Sequence, residues 1–284
     1  MDGYLLAATD GHTNTDPAIH FADMIADHHD VELRVVHVID ERLLEGVGFA
    51  DARTELEEHL EMQGRSALER VSEVATNSQP STSIRSGRPY QEILEAADGA
   101  GLIVVGRHPH ETRRPEGLGV TASRVIGEST APVLSIPSTT DAPDRGVFES
   151  VLVLSDGSDF SDRAAAFSTQ LVDTDAGDLH GLYIIDSDIY DLADAPRSII
   201  GILREGGQAS LNDIGVIARE AELSYARHIR RGSVIDTIAE AVDEIDPDIV
   251  SMGTRGRSAG TGPLLGSTTA AVLQRLDRPV LTSP

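Results

Sequence analysis

Two stretches of this chain repeat one glycine-rich loop, and the later of them has the residue types to hold a phosphate. GTRGRSAGTGPLLGS, Gly253–Ser267, leaves the apolar run DIVSMG and ends where a helical pattern, STTAAVLQRL, begins. Glycines such as Gly253 and Gly256 let backbone approach a ligand or take positive φ. A helix start at Gly266–Ser267 offers unpaired N–H groups and the positive end of a dipole. Ser267, Thr268 and Thr269 can add hydroxyl donors, and Arg255 and Arg257 supply positive charge. The chemistry this suits is phosphate binding.

The second stretch is an earlier copy, GRHPHETRRPEGLGV, Gly106–Val120. It has Pro109 where the later copy has Gly256 and Val120 where the later copy has Ser267. Proline removes an N–H and fixes φ, and valine removes a hydroxyl. The first site is therefore expected to be weakened or lost, leaving that half a structural role. Neither stretch is a Walker loop, which needs a lysine on the phosphates; the chain has no lysine. GLGVTA, Gly117–Ala122, matches a dinucleotide fingerprint by accident, since it lies ten residues beyond its strand rather than directly after it.

The loops sit inside a longer duplication. Asp10 answers Asp156, Gly87 answers Gly232, Gly106 answers Gly253, and Pro132 answers Pro279. Four anchors in one order with near-constant spacing indicate two copies of one domain, residues 1–140 and 147–284, joined through the turn-rich segment STTDAPDRG. Each copy alternates short apolar strands with helical patterns. In the second these are SVLVLS, a helix from Ser158 or Asp159, DLHGLYIID, a helical region over 191–221, SYARHIR, VIDTIAEAVDEI, DIVSMG, STTAAVLQRL and PVLTS. The first has the same order, with a long acidic helix around TELEEHLEMQGRSALERVSEV. Such alternation predicts right-handed crossovers and an α/β fold, a parallel sheet covered on both faces. Ligands in such sheets bind outside the carboxyl ends of the strands.

Composition narrows the class. The chain has 284 residues, no cysteine, and 47 acidic against 23 basic residues, for a formal charge of −24. Every basic residue is arginine. Without cysteine there is no disulfide, thiol nucleophile or thiolate metal site. So acidic a surface repels nucleic acid and anionic membranes. The acid is spread along the chain, which fits life in molar salt, a halophile's cytoplasm, better than a dedicated acidic docking tail. The N-terminus lacks the basic region of a signal peptide, and no apolar run reaches membrane-spanning length, so a cytoplasmic protein is expected.

The pattern G-x2-G-x9-G-[ST] at Gly253, Gly256, Gly266 and Ser267, with VLVLSDGSDFS opening the half and RPVL near its end, resembles the ATP-binding signature of the universal stress protein family. The resemblance covers both halves. It implies two doubly wound, five-stranded parallel sheets of strand order 3-2-1-4-5. It implies ATP, contacted by Asp156, Ile184, Gly253, Arg255, Gly256, Gly266, Ser267 and Thr268, with Mg2+ or molar salt offsetting the tetra-anion's charge. The first half keeps Asp10 and Val38 and has Thr121 one place late. The halves are expected to pair as a pseudo-dimer, with APVLSIP and RPVLTSP as the interface.

Other readings stand beside these. The glycine stretch could be only a flexible loop, Asp156 only a helix cap, and Arg255 and Arg257 only solvated. His28–His29 and His108–Pro109–His110 lack further ligands at metal spacing, and the carboxylates at Glu55–Glu61 read as a solvated helix face. A nucleotide-free interaction module and a slow ATP hydrolase are the rival functions; no general base stands beside the loop for the second, and no G-x-S-x-G elbow or triad exists. The family resemblance implies a nucleotide-responsive stress regulator rather than an enzyme.

Overall fold

The computed structural model describes residues 1–45, 48–107, 118–141, 147–187, 197–256 and 265–284. The chain divides into two compact units, Met1–Gly146 and Val147–Pro284, with the segment STTDAPDRG at the end of the first; residues 142–146 of that segment lie outside the described residues.

The first unit runs β1 (Tyr4–Thr9), α1 (Asp16–His29), β2 (Leu33–Asp40), α2 (Ala50–Val74), β3 (Ser81–Gly87), α3 (Pro89–Ala96), β4 (Ala100–Arg107), α4 (Val120–Glu128) and β5 (Val133–Pro137). All pairings are parallel and give the order β3-β2-β1-β4-β5. The second unit repeats this with β6 (Ser150–Ser155), α5 (Asp159–Ser168), β7 (Asp178–Asp186), α6 (Arg197–Glu220), β8 (Ser224–Gly232), α7 (Val234–Ile245), β9 (Ile249–Gly253), α8 (Ser267–Arg275) and β10 (Val280–Ser283). Its order is β8-β7-β6-β9-β10, again parallel throughout. The expected order 3-2-1-4-5 holds in each unit. The helix expected over 191–221 is described from Arg197, and residues 188–196 lie outside the description.

The inner strands carry the core because both of their faces are covered. Leu5, Leu6 and Ala7 of β1 and Leu102, Ile103 and Val104 of β4 are essentially sealed from solvent, as are Val151–Val153 of β6 and Ile249 and Val250 of β9. Helices contribute apolar residues at three- and four-residue spacing, as in Leu211, Ile214 and Ala218 of α6. The outer strands β3 and β8 are rich in serine and arginine and mostly part-exposed, which suits strands with an unpaired edge. Among the described residues no helix is long and apolar enough to cross a membrane.

One buried carboxylate ties the first unit together. Asp23 of α1 is fully buried and accepts hydrogen bonds from the N–H and Nδ2 of Asn77 and from the N–H and Oγ of Ser78, at 2.5–2.9 Å. These donors lie in the turn between α2 and β3, so one side chain closes a long excursion. Asp23→Ala would remove the buried acceptor of four hydrogen bonds from a part-exposed turn. It is expected to cost about 3 kcal/mol, read as a lower urea midpoint for the first unit; a change under about 1 kcal/mol would show that the turn is held by other contacts.

Candidate functional site

The site grows from a turn that both units build alike. At the end of β6, Asp156 Oδ1 accepts the N–H of Ser158 at 3.0 Å, and the N–H of Gly157 donates to Ser155 Oγ at 3.1 Å. Gly157 sits at φ 75°, in the left-handed region that glycine enters without cost. At the end of β1, Asp10 Oδ1 accepts the N–H of His12 at 2.9 Å, Gly11 donates to Thr9 Oγ1 at 3.1 Å, and φ of Gly11 is 82°. Asp156 is therefore not the cap of α5. Ser158 is, its Oγ accepting from Ser161 N–H at 3.4 Å. Asp156 braces the turn and is held at the carboxyl end of the central strand.

β9, the neighbour of β6, delivers the glycine stretch to the same place. The N–H of Gly266 donates to Thr254 O at 2.9 Å, and Thr269 Oγ1 donates to Gly253 O at 3.0 Å. These bonds form a neck that returns the chain to the start of α8. The expectation that Thr269 offers its hydroxyl to a ligand is corrected here: that hydroxyl is buried and spent on the neck. Ser267 and Thr268, in the first turn of α8, are exposed, and among the described residues their hydroxyls have no partner. By helix geometry the first-turn N–H groups have no intrahelical acceptor. Residues 257–264, Arg257 among them, lie outside the described residues.

The glycines have different reasons for being glycine. None of Gly253, Gly256 and Gly266 takes a positive φ, so strained backbone is not the cause. A Cβ on Gly253 would lie 2.6 Å from Phe160 Cβ and 3.1 Å from its carbonyl carbon; this glycine admits α5 to the sheet. A Cβ on Gly256 would lie 2.7 Å from Asp156 Oδ2; this one brings the loop against the carboxylate. Gly266 is the N-cap of α8 at φ −61° and ψ 145°. Arg255 is half-buried on the same loop. Ile184, half-buried, stands toward the end of β7 in register with Arg230.

The first unit keeps the frame. Gly119 caps α4 at φ −58° and ψ 146°, the conformation of Gly266. Val120 occupies an ordinary helical position at the start of α4, so the valine removes a hydroxyl without straining the backbone. Pro109 lies outside the described residues. Asp10, Val38, Gly106, Gly119, Val120 and Thr121 converge on one cavity of about 460 Å³. These are the repeat partners of Asp156, Ile184, Gly253, Gly266, Ser267 and Thr268, so the fold gathers residues widely separated in sequence onto one crevice.

A further correspondence had no signal in the sequence. His37 of β2 packs on Gly64 of α2, where a Cβ would lie 2.9 Å from the ring; Tyr183 of β7 packs on Gly207 of α6, where a Cβ would lie 2.5 Å away. Both rings occupy the same strand position, one residue before Val38 and Ile184. His37 Nδ1 meets Thr9 O at 3.1 Å, and burial holds its pKa below the ordinary value against that bond and the nearby Asp10. A base with a depressed folded pKa stays neutral in the native state while the unfolded chain takes up a proton below pH about 6.5. First-unit stability is thus expected to fall as pH drops below about 6.5, and His37→Phe to flatten that slope in urea titrations at pH 7 and pH 5; an unchanged slope would assign the loss to other groups.

The alternative metal readings gain no support. His28 and His29 stack edge-on with ring centroids 5.0 Å apart, and among the described residues no three metal-ligating side chains converge. His108 and His110 lie outside those residues. Glu55, Glu57, Glu58 and Glu61 stand on the part-exposed to exposed faces of α2.

Comparison with known proteins agrees with this architecture. The universal stress protein family matches residues 4–137 and again 148–284. A universal stress protein of Mycolicibacterium smegmatis is 25% identical over 290 residues, covering 98% of this chain and 95% of its own. Among solved structures, a universal stress protein from Archaeoglobus fulgidus superposes with a TM-score of 0.73 at 22% identity, covering 99% of this chain and 96% of its own. Another from Pseudomonas aeruginosa, described as putative, gives 0.62 at 18% identity, covering 99% and 93%. With a family match across both units and the same five-stranded order in each, the chain belongs to the universal stress protein family.

Proposed function

We propose that the second unit binds an adenine nucleotide, ATP, and that the protein acts as a nucleotide-responsive stress regulator. The observation that carries this reading is the pair of exposed hydroxyls, Ser267 and Thr268, at the start of α8, which no other described residue engages. They open the helix that follows the glycine loop, and that loop comes against Asp156 at Gly256. A phosphate chain would lie against the helix start; the sugar and base would lie toward Asp156 and Ile184, with Arg255 adding charge. Mg2+ or molar salt would offset the anion's repulsion by this chain.

One ATP per chain is expected, held by the second unit. Loss of one charge-assisted phosphate hydrogen bond costs about 1.5–3 kcal/mol. Ser267→Val is therefore expected to weaken binding at least tenfold in calorimetry with MgATP in molar KCl. Mass spectrometry of small molecules released on denaturing the purified protein should find the nucleotide. No bound or released nucleotide, and no calorimetric uptake, would instead favour the nucleotide-free interaction module. Slow hydrolysis is a separate outcome, read as turnover with magnesium.

A further inference from the structure

We infer that the first unit carries its own ligand site, which takes a phosphate-free nucleoside such as adenosine in preference to a nucleotide. Its cavity, about 460 Å³, is within the range of small-molecule sites. It lies at the carboxyl ends of β1, β2 and β4 and the start of α4, where ligands of open parallel sheets bind. The site stands on this cavity and its lining alone; only the choice of ring rests on the reading proposed for the second unit.

The lining separates ring from phosphate. Val36, Val38, Ile93 and Val105 make apolar walls able to take the faces of a flat ring. At the mouth, Val120 is 72% exposed. An exposed branched apolar side chain on the rim of a cavity gains from any ligand that covers it, and it offers nothing to a phosphate. The charged groups also disfavour a polyanion. Arg42 bonds Asp40 with Nε at 2.8 Å and NH2 at 2.5 Å, so its charge is answered within the wall. Those bonds hold the Asp40 carboxyl below the usual carboxylate range, and it remains ionised at neutral pH. With Asp10 added, the charged side chains among the described lining are two carboxylates and one guanidinium. Sugar hydroxyls can donate to carboxylates, whereas phosphates are repelled by them. Thr121 supplies one more polar group beside the ring.

The test is a calorimetric titration of adenosine into the full chain presaturated with MgATP in molar KCl, so that the second unit is filled. One equivalent of adenosine is expected to bind. Thr121→Trp, which plugs the cavity from a half-buried first-turn position, should weaken that binding at least tenfold and leave ATP affinity unchanged. Val38→Phe is a second plug should the first fail to fold, with thermal melting as the check. Absence of adenosine uptake by the wild-type chain, or uptake that survives a folded plug, overturns the proposal. So does loss of ATP rather than adenosine binding on plugging. If the wild type binds no ATP at all, the second-unit reading fails by itself, and adenosine titrated without ATP still decides this one.

Discussion

Gly253→Ala is expected to destabilise the second unit by about 3 kcal/mol, whereas Gly256→Val is expected to spare the fold and weaken ATP binding at least tenfold. The two substitutions alter neighbouring glycines of one motif, and the difference lies in what each meets. At Gly253 the added methyl would sit 2.6 Å from Phe160 Cβ and 3.0 Å from Arg255 O. The first is fixed directly to the backbone of α5, whose Phe160 carbonyl carbon lies 3.1 Å away, and the second belongs to the loop itself, so relief requires moving α5 off β9, and overpacking of this kind typically costs about 1–3 kcal/mol and occasionally more. At Gly256 the obstacle is Asp156 Oδ2 at 2.7 Å, the far end of a side chain. It can turn away, but only by giving up its bond to Ser158 N–H and its place in the crevice. Urea unfolding and ATP calorimetry on the same two variants read the division directly. Equal losses of stability would mean that both glycines serve packing; intact ATP binding in Gly256→Val would remove Asp156 from the site.

How far each feature was legible in the sequence follows the range of the interaction behind it. The turn after β6 is local: Ser155, Asp156 and Gly157 make their bonds within a few residues, and their repeat in Thr9, Asp10 and Gly11 shows in the sequence itself. The sheet is regular and therefore periodic, so the alternation of strands and helices was readable, and the family resemblance supplied the strand order. Thr269 was misassigned because its acceptor, Gly253 O, is sixteen positions away across a loop whose closure no periodicity encodes. The rings of His37 and Tyr183 on Gly64 and Gly207 went unread for the same reason, since each pairs a strand with a helix distant in sequence. Val120 was a legible loss of hydroxyl, but the persistence of a cavity around it depends on Val36, Ile93 and Val105, which in sequence are ordinary core residues. The candidate site was thus visible where glycine and hydroxyl spacing is local, and hidden where side-chain volume decides.

Raising potassium chloride from 0.1 M to 2 M is expected to lift the melting temperature by about 10 °C, on the scale of 2–4 °C per kcal/mol for units of this size. Salt cannot help through ion pairs, since surface pairs are worth at most about 1 kcal/mol each and are themselves screened. The gain must come from carboxylates crowded by other carboxylates. α2 alone carries seven acidic residues against three arginines, and only some of these are answered, as in Arg53–Glu57 and Arg65–Glu61. On α5, burial and then the neighbours Asp213, Asp159 and Asp156 push the Asp162 carboxyl above its ordinary pKa. That is the signature of a site where one more negative charge is unwelcome. At about 0.1 M salt the Debye length is roughly 10 Å, long enough for these groups to repel; at about 1 M it is roughly 3 Å, shorter than most of their separations. Asp162→Asn should accordingly raise stability in dilute buffer and have less effect in molar salt, a sign opposite to that of most core substitutions. A melting temperature flat across the salt range, with Asp162→Asn neutral at both ends, would mean that the charge of −24 is spaced widely enough not to oppose folding. The acidic surface would then have to be explained by a cationic partner instead.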